Sequence, residues 1–164
     1  MTDATTHAAG PLSEGESVPD FDLPATGGGR VRSSELRGRP YVLYFYPKAD
    51  TSGCTQQARA FQEALDNRTV GALPVIGISR DPVEAIEAFA AKYNLRFPLA
   101  SDETGWAVEA FGVWVQKSMY GRRYMGIERS SFLVDKEGRV ARLWRKVKVP
   151  GHVAEVAAAA AALG

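Results

Sequence analysis

The chain has 164 residues, of which 45% are hydrophobic and 24% are charged, and its formal net charge is +1. This length is typical of a single domain, and these proportions exclude a fibrous repeat and wholesale disorder. A net charge so close to zero does not indicate a nucleic-acid partner, and no apolar run approaches the roughly 18 residues that cross a membrane.

Residues 1–17 are mostly polar, contain Gly, Pro and Ser, and show no periodicity, which predicts a flexible N-terminal tail. Residues 1–10 lack the basic and apolar regions of a secretory signal, so we expect a cytoplasmic protein. The folded domain is predicted to span residues 18–164.

Beyond the tail, apolar patterns predict strands that alternate with helices. Residues 41–46 form a continuous apolar and aromatic run that suits a strand buried on both faces. Cys54, Ala58, Phe61 and Leu65 recur at helical spacing and form one amphipathic stripe. In chain order the patterns first predict a short strand at Phe21 and Leu23, a helical turn at 33–36, the strand at 41–46 and a helix from Cys54 to about Asn67. A strand at 73–79, a helix opened by Asp81 and Pro82, a short extended piece at 97–100 and a short helix at 104–111 follow. The chain is predicted to finish with strands at 131–134 and 139–148, joined by a hairpin turn, and a last helix that ends at Leu163.

This order of elements predicts the fold class. Strands that alternate with helices favour parallel pairing, whereas the hairpin near the C-terminus adds antiparallel strands. We therefore expect an α/β fold with a central mixed sheet and helices on both of its faces.

Cys54 is the only cysteine in the sequence, so it cannot form an intrachain disulfide. With His7 and His152 as the only histidines, a structural zinc site is nearly excluded, and we expect no metal and no cofactor. The predicted helix start places Cys54 where a buried strand ends, the edge at which α/β sheets bind ligands. Unpaired backbone N–H groups and the helix dipole favour a thiolate there, although the apolar stripe also suits an inert buried cysteine.

The motif around this cysteine resembles a known active site. Pro47-x-x-x-Thr51-x-x-Cys54 is similar to the peroxiredoxin signature, and the wider run 44–55 resembles the bacterioferritin-comigratory-protein, or Q-type, branch of that family. Further similar blocks at 18–21, 111–114, 124–135 and 149–152 extend the resemblance, in order, over about residues 18–164. The resemblance implies a thioredoxin-like fold and a thiol peroxidase that reduces hydrogen peroxide and organic hydroperoxides.

By this resemblance Cys54 is the peroxidatic cysteine, whose thiolate attacks the peroxide and becomes a sulfenic acid. A helix N-terminus stabilises a thiolate by only ~0.3–1 kcal/mol, up to about 2 kcal/mol when partly buried, which is too little to keep the cysteine ionised at neutral pH. A nearby cation is therefore required, and Arg129 matches the family's active-site arginine. Thr51 is expected to hydrogen-bond the cysteine or the peroxide, or to cap the helix. Pro47 is expected to cover the thiolate, or merely to fix the loop. Gln57, one turn after the cysteine, is a possible supporting residue.

One departure from the family affects how the enzyme is recycled. Many Q-type members carry a resolving cysteine five residues after the first, where this chain has Arg59. We therefore expect a one-cysteine enzyme, a monomer or weak dimer, that is reduced by an external thiol such as thioredoxin, glutathione with glutaredoxin, or another small thiol. A peroxide sensor and a catalytically silent thioredoxin-like binding module are the alternatives.

Two weaker features have more than one interpretation. Residues 115–150 contain ten Lys or Arg and three Asp or Glu, which fits a solvated strand face or electrostatic steering of substrates. Nucleic-acid binding is not expected, because no recognition motif accompanies these charges. His152 is expected near the start of the last helix, and sequence alone leaves open a protease-like pair with Cys54.

Overall fold

A computed structural model describes residues 12–68 and 73–163 of the chain. In chain order, its strands and helices are β1 (Asp22–Pro24), β2 (Arg30–Arg32), α1 (Ser33–Leu36), β3 (Tyr41–Phe45), α2 (Ser52–Asp66), β4 (Val75–Ser79), α3 (Val83–Tyr93), β5 (Leu99–Ser101), α4 (Trp106–Ala110), β6 (Trp114–Met119), β7 (Arg122–Ile127), β8 (Ser130–Val134), β9 (Val140–Trp144) and α5 (His152–Leu163). None of the described helices is long and apolar enough to cross a membrane.

Five of these strands form a central sheet in the order β5-β4-β3-β8-β9. β4 is parallel to both β3 and β5, because helices α2 and α3 carry the chain back between these strands. β8 and β9 are antiparallel neighbours on the other side of β3. The predicted mixed sheet with a C-terminal hairpin is confirmed.

The sheet separates two apolar cores because successive side chains of its strands point to opposite faces. Along β3, Tyr41, Leu43 and Phe45 pack on the face that α4 and the β1–β2 ribbon cover. Val42 and Tyr44 pack on the opposite face, against α2, α3 and α5. The prediction of helices on both faces is therefore confirmed, and Cys54 belongs to the second core.

The structure differs from the sequence predictions in several elements. Residues 114–127 form the β6–β7 hairpin, which the apolar pattern did not predict. The sequence pattern predicts Pro82 in the first turn of the helix after Asp81, but Pro82 precedes α3 as its N-cap residue. β9 stops at Trp144, well before the predicted end at Lys148, because the next backbone segment turns to pair Val147 N–H with the carbonyl of Arg129.

Residues 12–17, which precede the predicted domain start, pack against the sheet. The side chain of Leu12 is only 3% exposed, and the N–H of Gly15 donates to the carbonyl of Val140 at 2.8 Å. Ser17 forms an isolated bridge with Arg139. Residues 1–11 of the predicted tail lie outside the described part of the chain.

Candidate active site

Cys54 lies in the first turn of α2, directly after the loop that leaves the carboxyl end of β3. Ala58 and Phe61 continue its stripe and are buried with it in the core between α2 and the sheet. Its own side chain is 1% exposed. The predicted position of the thiol at a helix start is confirmed, and the stripe that buries it is the one that the spacing predicted.

Aromatic side chains from β3 form the wall behind this thiol. Tyr44 stacks on Phe61 of α2 with 4.7 Å between ring centroids, and Tyr46 packs beside Tyr44. Burial raises the pKa of both tyrosines well above its usual range, so both hydroxyls stay neutral. The sulfur therefore belongs to an aromatic core, and it also has a charged neighbour.

That neighbour is Arg129, which strand pairing carries to the same edge of the sheet. β8 runs antiparallel to β3 with Ser130 opposite Phe45, so the residue before Ser130 lies beside the end of β3. Its guanidinium Nη2 donates to Cys54 Sγ at 3.5 Å, and its Nη1 donates to Gln57 Oε1 at 2.6 Å. The structure thus brings together three predicted site residues that are as much as 75 positions apart in sequence.

Gly53 permits this close approach. A Cβ atom at this position would lie 3.1 Å from Arg129 Nη2, closer than most real contacts. The absence of a side chain therefore lets the guanidinium lie over the first turn of α2.

Gln57 is completely buried and faces the site from one turn further along α2. Its carbonyl oxygen holds Arg129, while its Nε2 has no hydrogen-bond partner among the described residues. A neutral acceptor at this position orients the guanidinium without neutralising its charge.

Thr51 and Pro47 belong to the loop that enters α2, and both are exposed. Thr51 is the N-cap residue, but its side chain makes no capping hydrogen bond. Its hydroxyl donates to the carbonyl of Lys48 at 2.8 Å. The oxygen of that hydroxyl can still accept a hydrogen bond. The expected roles of Thr51 and Pro47 toward a peroxide stay predictions.

Asp81 fixes this loop from the turn between β4 and α3. Its Oδ2 accepts the backbone N–H of Ala49 at 2.8 Å and the hydroxyl of Ser79 at 2.8 Å. The contact with Ala49 joins residues 32 positions apart. It holds the loop backbone two residues before Thr51.

Asp50 makes a second attachment, to the C-terminal end of α3. Its carboxylate accepts the Tyr93 hydroxyl at 2.7 Å and the Lys92 ammonium at 3.0 Å. The hydrogen bond from Tyr93, and next that from Lys92, lower the pKa of this carboxyl below its usual value. Asp50 adopts a left-handed backbone with φ 62°, a conformation that Asp tolerates better than most residues. Sequence reasoning missed both attachments.

His152 starts α5, as expected, and is buried. Its Nε2 lies 2.8 Å from the hydroxyl of Ser131, and its Nδ1 lies 3.6 Å from the carboxylate of Glu155. Burial lowers the pKa of this imidazole. Since both ring nitrogens face partners other than Cys54, the geometry does not support a cysteine–histidine protease pair.

No group of three or more His, Cys, Asp or Glu side chains within residues 12–68 and 73–163 could hold a metal ion. What this arrangement offers chemically is a shielded thiol, a guanidinium fork at its side and an anchored loop beside it.

Comparison with known proteins agrees with this geometry. The model of the AhpC/TSA family matches residues 15–143. Peroxiredoxin Bcp of Bacillus subtilis is 45% identical over 86% of this chain and 90% of its own, and that of Escherichia coli is 40% identical over 87% and 91%. The structure resembles a cysteine-to-serine variant of PrxQ from Xylella fastidiosa, with a TM-score of 0.86 and 35% identity over 92% and 96% of the two chains. It also resembles the Xanthomonas campestris bacterioferritin comigratory protein, which was studied for its alkyl peroxide reduction activity, with a TM-score of 0.84 and 38% identity over 92% and 98%. These likenesses confirm the expected thioredoxin-like fold.

Proposed function

This chain belongs to the AhpC/TSA family and is a peroxiredoxin of the Bcp or Q-type branch, a thiol-dependent peroxidase, and we propose that Cys54 is the residue that attacks the peroxide. The observation that carries the proposal is the 3.5 Å contact between Arg129 Nη2 and Cys54 Sγ at the start of α2. A fixed cation and a helix N-terminus both favour the thiolate, which is the reactive form of a cysteine.

In the proposed reaction the thiolate attacks one peroxide oxygen while the O–O bond breaks. The sulfur gains that oxygen as a sulfenic acid, and the other oxygen leaves with the electron pair as hydroxide or alkoxide, which takes a proton to become water or alcohol. Negative charge thus moves from sulfur to the leaving oxygen. Arg129 can stabilise the negative charge on both atoms, because its planar fork presents several hydrogen-bond donors to them.

The loop residues complete the proposed site. The Thr51 hydroxyl donates its hydrogen bond to the carbonyl of Lys48, so its oxygen is available to accept a hydrogen bond from the O–H of a bound peroxide. Gln57 holds Arg129 in place as a positioning residue. Pro47 shields the thiol from the outside and keeps the loop rigid.

The substrates that we propose are hydrogen peroxide and alkyl hydroperoxides, since a structural relative reduces alkyl peroxides. Cys54 is the only cysteine of the chain, so the sulfenic acid is returned to the thiol by an external thiol. Thioredoxin, glutathione with glutaredoxin, or another small thiol can serve. We propose the cytoplasm as the place of action, where such thiols are kept reduced.

The test is peroxide consumption by the purified protein with hydrogen peroxide or cumene hydroperoxide and each candidate thiol. Wild type should turn over many times with at least one reductant, and Cys54→Ser should be inactive although folded. Intact mass should show one added oxygen on wild type after one equivalent of peroxide.

The alternatives give different outcomes in the same assay. Oxidation that stops after one equivalent, with every thiol tried, indicates a sensor and overturns catalytic turnover. No reaction of Cys54 with either peroxide indicates a silent binding module. Equal activity in Cys54→Ser would assign the chemistry to another residue.

A further inference from the structure

The β6–β7 hairpin concentrates the exposed apolar surface of the molecule. Six large hydrophobic side chains are exposed among the described residues, and four of them, Met119, Tyr120, Tyr124 and Met125, lie on this hairpin. Tyr120 is 98% exposed at its tip. Isolated exposed apolar residues are ordinary, but a cluster on one projecting ribbon indicates a contact surface.

The charge of the hairpin is of one sign. Between Trp114 and Ile127 the sequence has Lys117, Arg122 and Arg123 and no acidic residue. Tyr, Met and Arg are the residue types enriched in protein interfaces, and flexible Met side chains adapt to partners. A second copy bound by the same surface would bring like charges together, whereas an acidic protein would be complementary.

The hairpin is joined directly to the candidate site. β7 ends at Ile127, two residues before Arg129, and the N–H of Glu128 donates to the carbonyl of Val113 where β6 begins. The base of the hairpin, where β6 begins and β7 ends, therefore lies beside the edge of the sheet where Cys54 lies.

One face of the hairpin is turned toward this site. Strand pairing places Lys117 opposite Tyr124 and Met119 opposite Arg122, so these four side chains share a face. Lys117 on this face is half-buried, whereas Trp114, on the opposite face of β6, packs against the core on the side of the sheet away from Cys54. Burial, and next the charge of Arg129, lower the pKa of the Lys117 ammonium. Arg123 and Met125 belong to the opposite face of the same ribbon.

We propose that the hairpin face formed by Lys117, Met119, Arg122 and Tyr124 is the docking surface for an acidic dithiol protein that reduces oxidised Cys54. The inference rests on the proposed function and names the chemical class of the reductant. One partner thiolate attacks the sulfenic sulfur, an S–S bond forms, and the oxygen leaves as water after protonation. The second partner thiol then attacks the partner's own sulfur in that bond, which releases Cys54 as a thiolate and leaves the partner as a disulfide.

The test compares the two faces of the hairpin within one background. R122E/Y124S changes the proposed face, and R123E/M125S makes a matched change of charge and apolar surface on the opposite face. Cys54 is first oxidised with one equivalent of hydrogen peroxide, and the fall of the sulfenate is then followed by intact mass. The reductants are reduced bacterial thioredoxin of net negative charge and, separately, 2-mercaptoethanol.

Reduction by thioredoxin should slow about tenfold or more in R122E/Y124S and less than about threefold in R123E/M125S, and added salt should slow wild type toward the first variant. Reduction by 2-mercaptoethanol and oxidation by peroxide should be equal in all three proteins, which also shows that the variants are folded.

Several results would overturn the docking surface. They are equal thioredoxin rates in both variants, a parallel loss with 2-mercaptoethanol, and no reduction of wild type by thioredoxin while 2-mercaptoethanol works. A wild-type dimer that R122E/Y124S dissociates would assign the face to a second copy. Failure of wild-type Cys54 to react with peroxide would overturn the proposed function itself, and is seen before any reductant is added.

Discussion

Gly53 determines how closely the guanidinium of Arg129 approaches the sulfur of Cys54. With no Cβ in the way, one arm of the fork reaches the thiol and the other reaches Gln57. Two directed hydrogen bonds fix the orientation of the cation as well as its charge. Lysine carries the same charge as a single point on a flexible stem, so it cannot occupy both positions in one geometry.

We therefore expect Arg129→Lys to slow oxidation of Cys54 by hydrogen peroxide about tenfold or more, equivalent to ~1.4 kcal/mol or more of lost transition-state stabilisation. The rate is measured in single turnover by rapid mixing and intact mass. Arg59→Lys, an exposed position on the same helix, is the matched control and should leave the rate unchanged. Equal rates in both variants would reduce Arg129 to a structural role.

At this scale the motif predicted which residues come together around Cys54 better than it predicted which residues hold the neighbouring loop. Cys54, Gln57 and Arg129 were found because the family signature fixes their spacing or their block. Asp50 and Asp81 were not found, since each acts on a partner more than 30 positions away and neither carries a local signal. An isolated Asp in a loop is equally well explained as a solvated turn residue.

Helix α3 acts on the site through these two carboxylates. Asp81 holds the N–H of Ala49 near the start of α3, and Asp50 attaches the loop to Tyr93 at the other end. The loop that carries Thr51 is thus fixed against an element with no catalytic residue of its own. A fixed loop keeps the Thr51 oxygen in one position relative to the Arg129 fork, which Gln57 holds.

Removing the Asp81 carboxylate should loosen this loop. A hydrogen bond is worth about 0.5–1.5 kcal/mol, so we expect Asp81→Ala to slow peroxide oxidation of Cys54 by a factor of about 2–10. Asp81→Asn keeps an oxygen acceptor and should retain most of the rate. Hydrogen exchange at residues 48–51 should increase in the alanine variant only.

Asp66→Ala is the matched control, because the Asp66 carboxylate also accepts hydrogen bonds, from Gln62 and Arg96, but does not touch the loop. A similar loss of rate in that variant would show a general effect on stability and contradict the role of Asp81.

The β6–β7 hairpin is the element that the apolar pattern failed to predict. Its strands are exposed on most positions, so alternation of apolar and polar residues is weak. Its turn uses Tyr120 and Gly121, both with positive φ, where the strongest hairpin signals are Asn-Gly or Asp-Gly. Tyr120 is not a residue type that indicates a turn in the sequence, although it adopts a left-handed backbone conformation here.

Helix α2 limits what a new cysteine at position 59 could do. Five residues along a helix rise ~7.5 Å, beyond the roughly 7 Å that a disulfide spans between Cα atoms. Cys54 is buried whereas Arg59 is exposed, so the two side chains also diverge. A disulfide between them requires the first turns of α2 to unwind.

We expect wild type, given excess peroxide without a thiol, to pass from sulfenic to sulfinic acid, because no second cysteine can trap it. Arg59→Cys should add a Cys54 disulfide and lower the sulfinic yield, to the extent that α2 opens. Intact mass across a peroxide series measures both products. Arg59→Ser, which removes the arginine without adding a thiol, should behave as wild type, and an equal sulfinic yield in the two variants would show that α2 stays closed.

Across the whole molecule the order of elements was predictable because alternation of buried strands with amphipathic helices leaves few arrangements of an α/β sheet. The packing of residues 12–17 against the sheet was not predictable, since a polar segment with one apolar residue, Leu12, resembles a flexible tail. Its backbone pairs with the β8–β9 end of the sheet, and only the folded chain supplies those partners.

His152 links the last helix to this sheet and makes stability depend on pH. Its ring is packed against Trp144 and hydrogen-bonded to Ser131, and burial lowers its pKa below the usual 6.5. Glu155 opposes this shift, whereas the charge of Arg129 adds to it. The folded protein therefore binds a proton less readily at this position than the unfolded chain does.

The sign of the effect follows from this difference. Well above pH 6.5 neither state is protonated at His152, so its contribution to the free energy of unfolding is constant. As pH falls below 6.5 the unfolded chain takes up the proton first, and stability declines by up to about 1.4 kcal/mol per pH unit until the folded state is protonated too.

We expect wild type to lose stability from pH 7.5 to 5, and His152→Gln to show a flatter profile, in urea unfolding at each pH. His7→Gln removes the other histidine of the chain and measures the part of the pH dependence that does not come from His152. A wild-type profile that is flat between pH 7.5 and 5, or one that only His7→Gln flattens, would contradict the assignment of this pH dependence to His152.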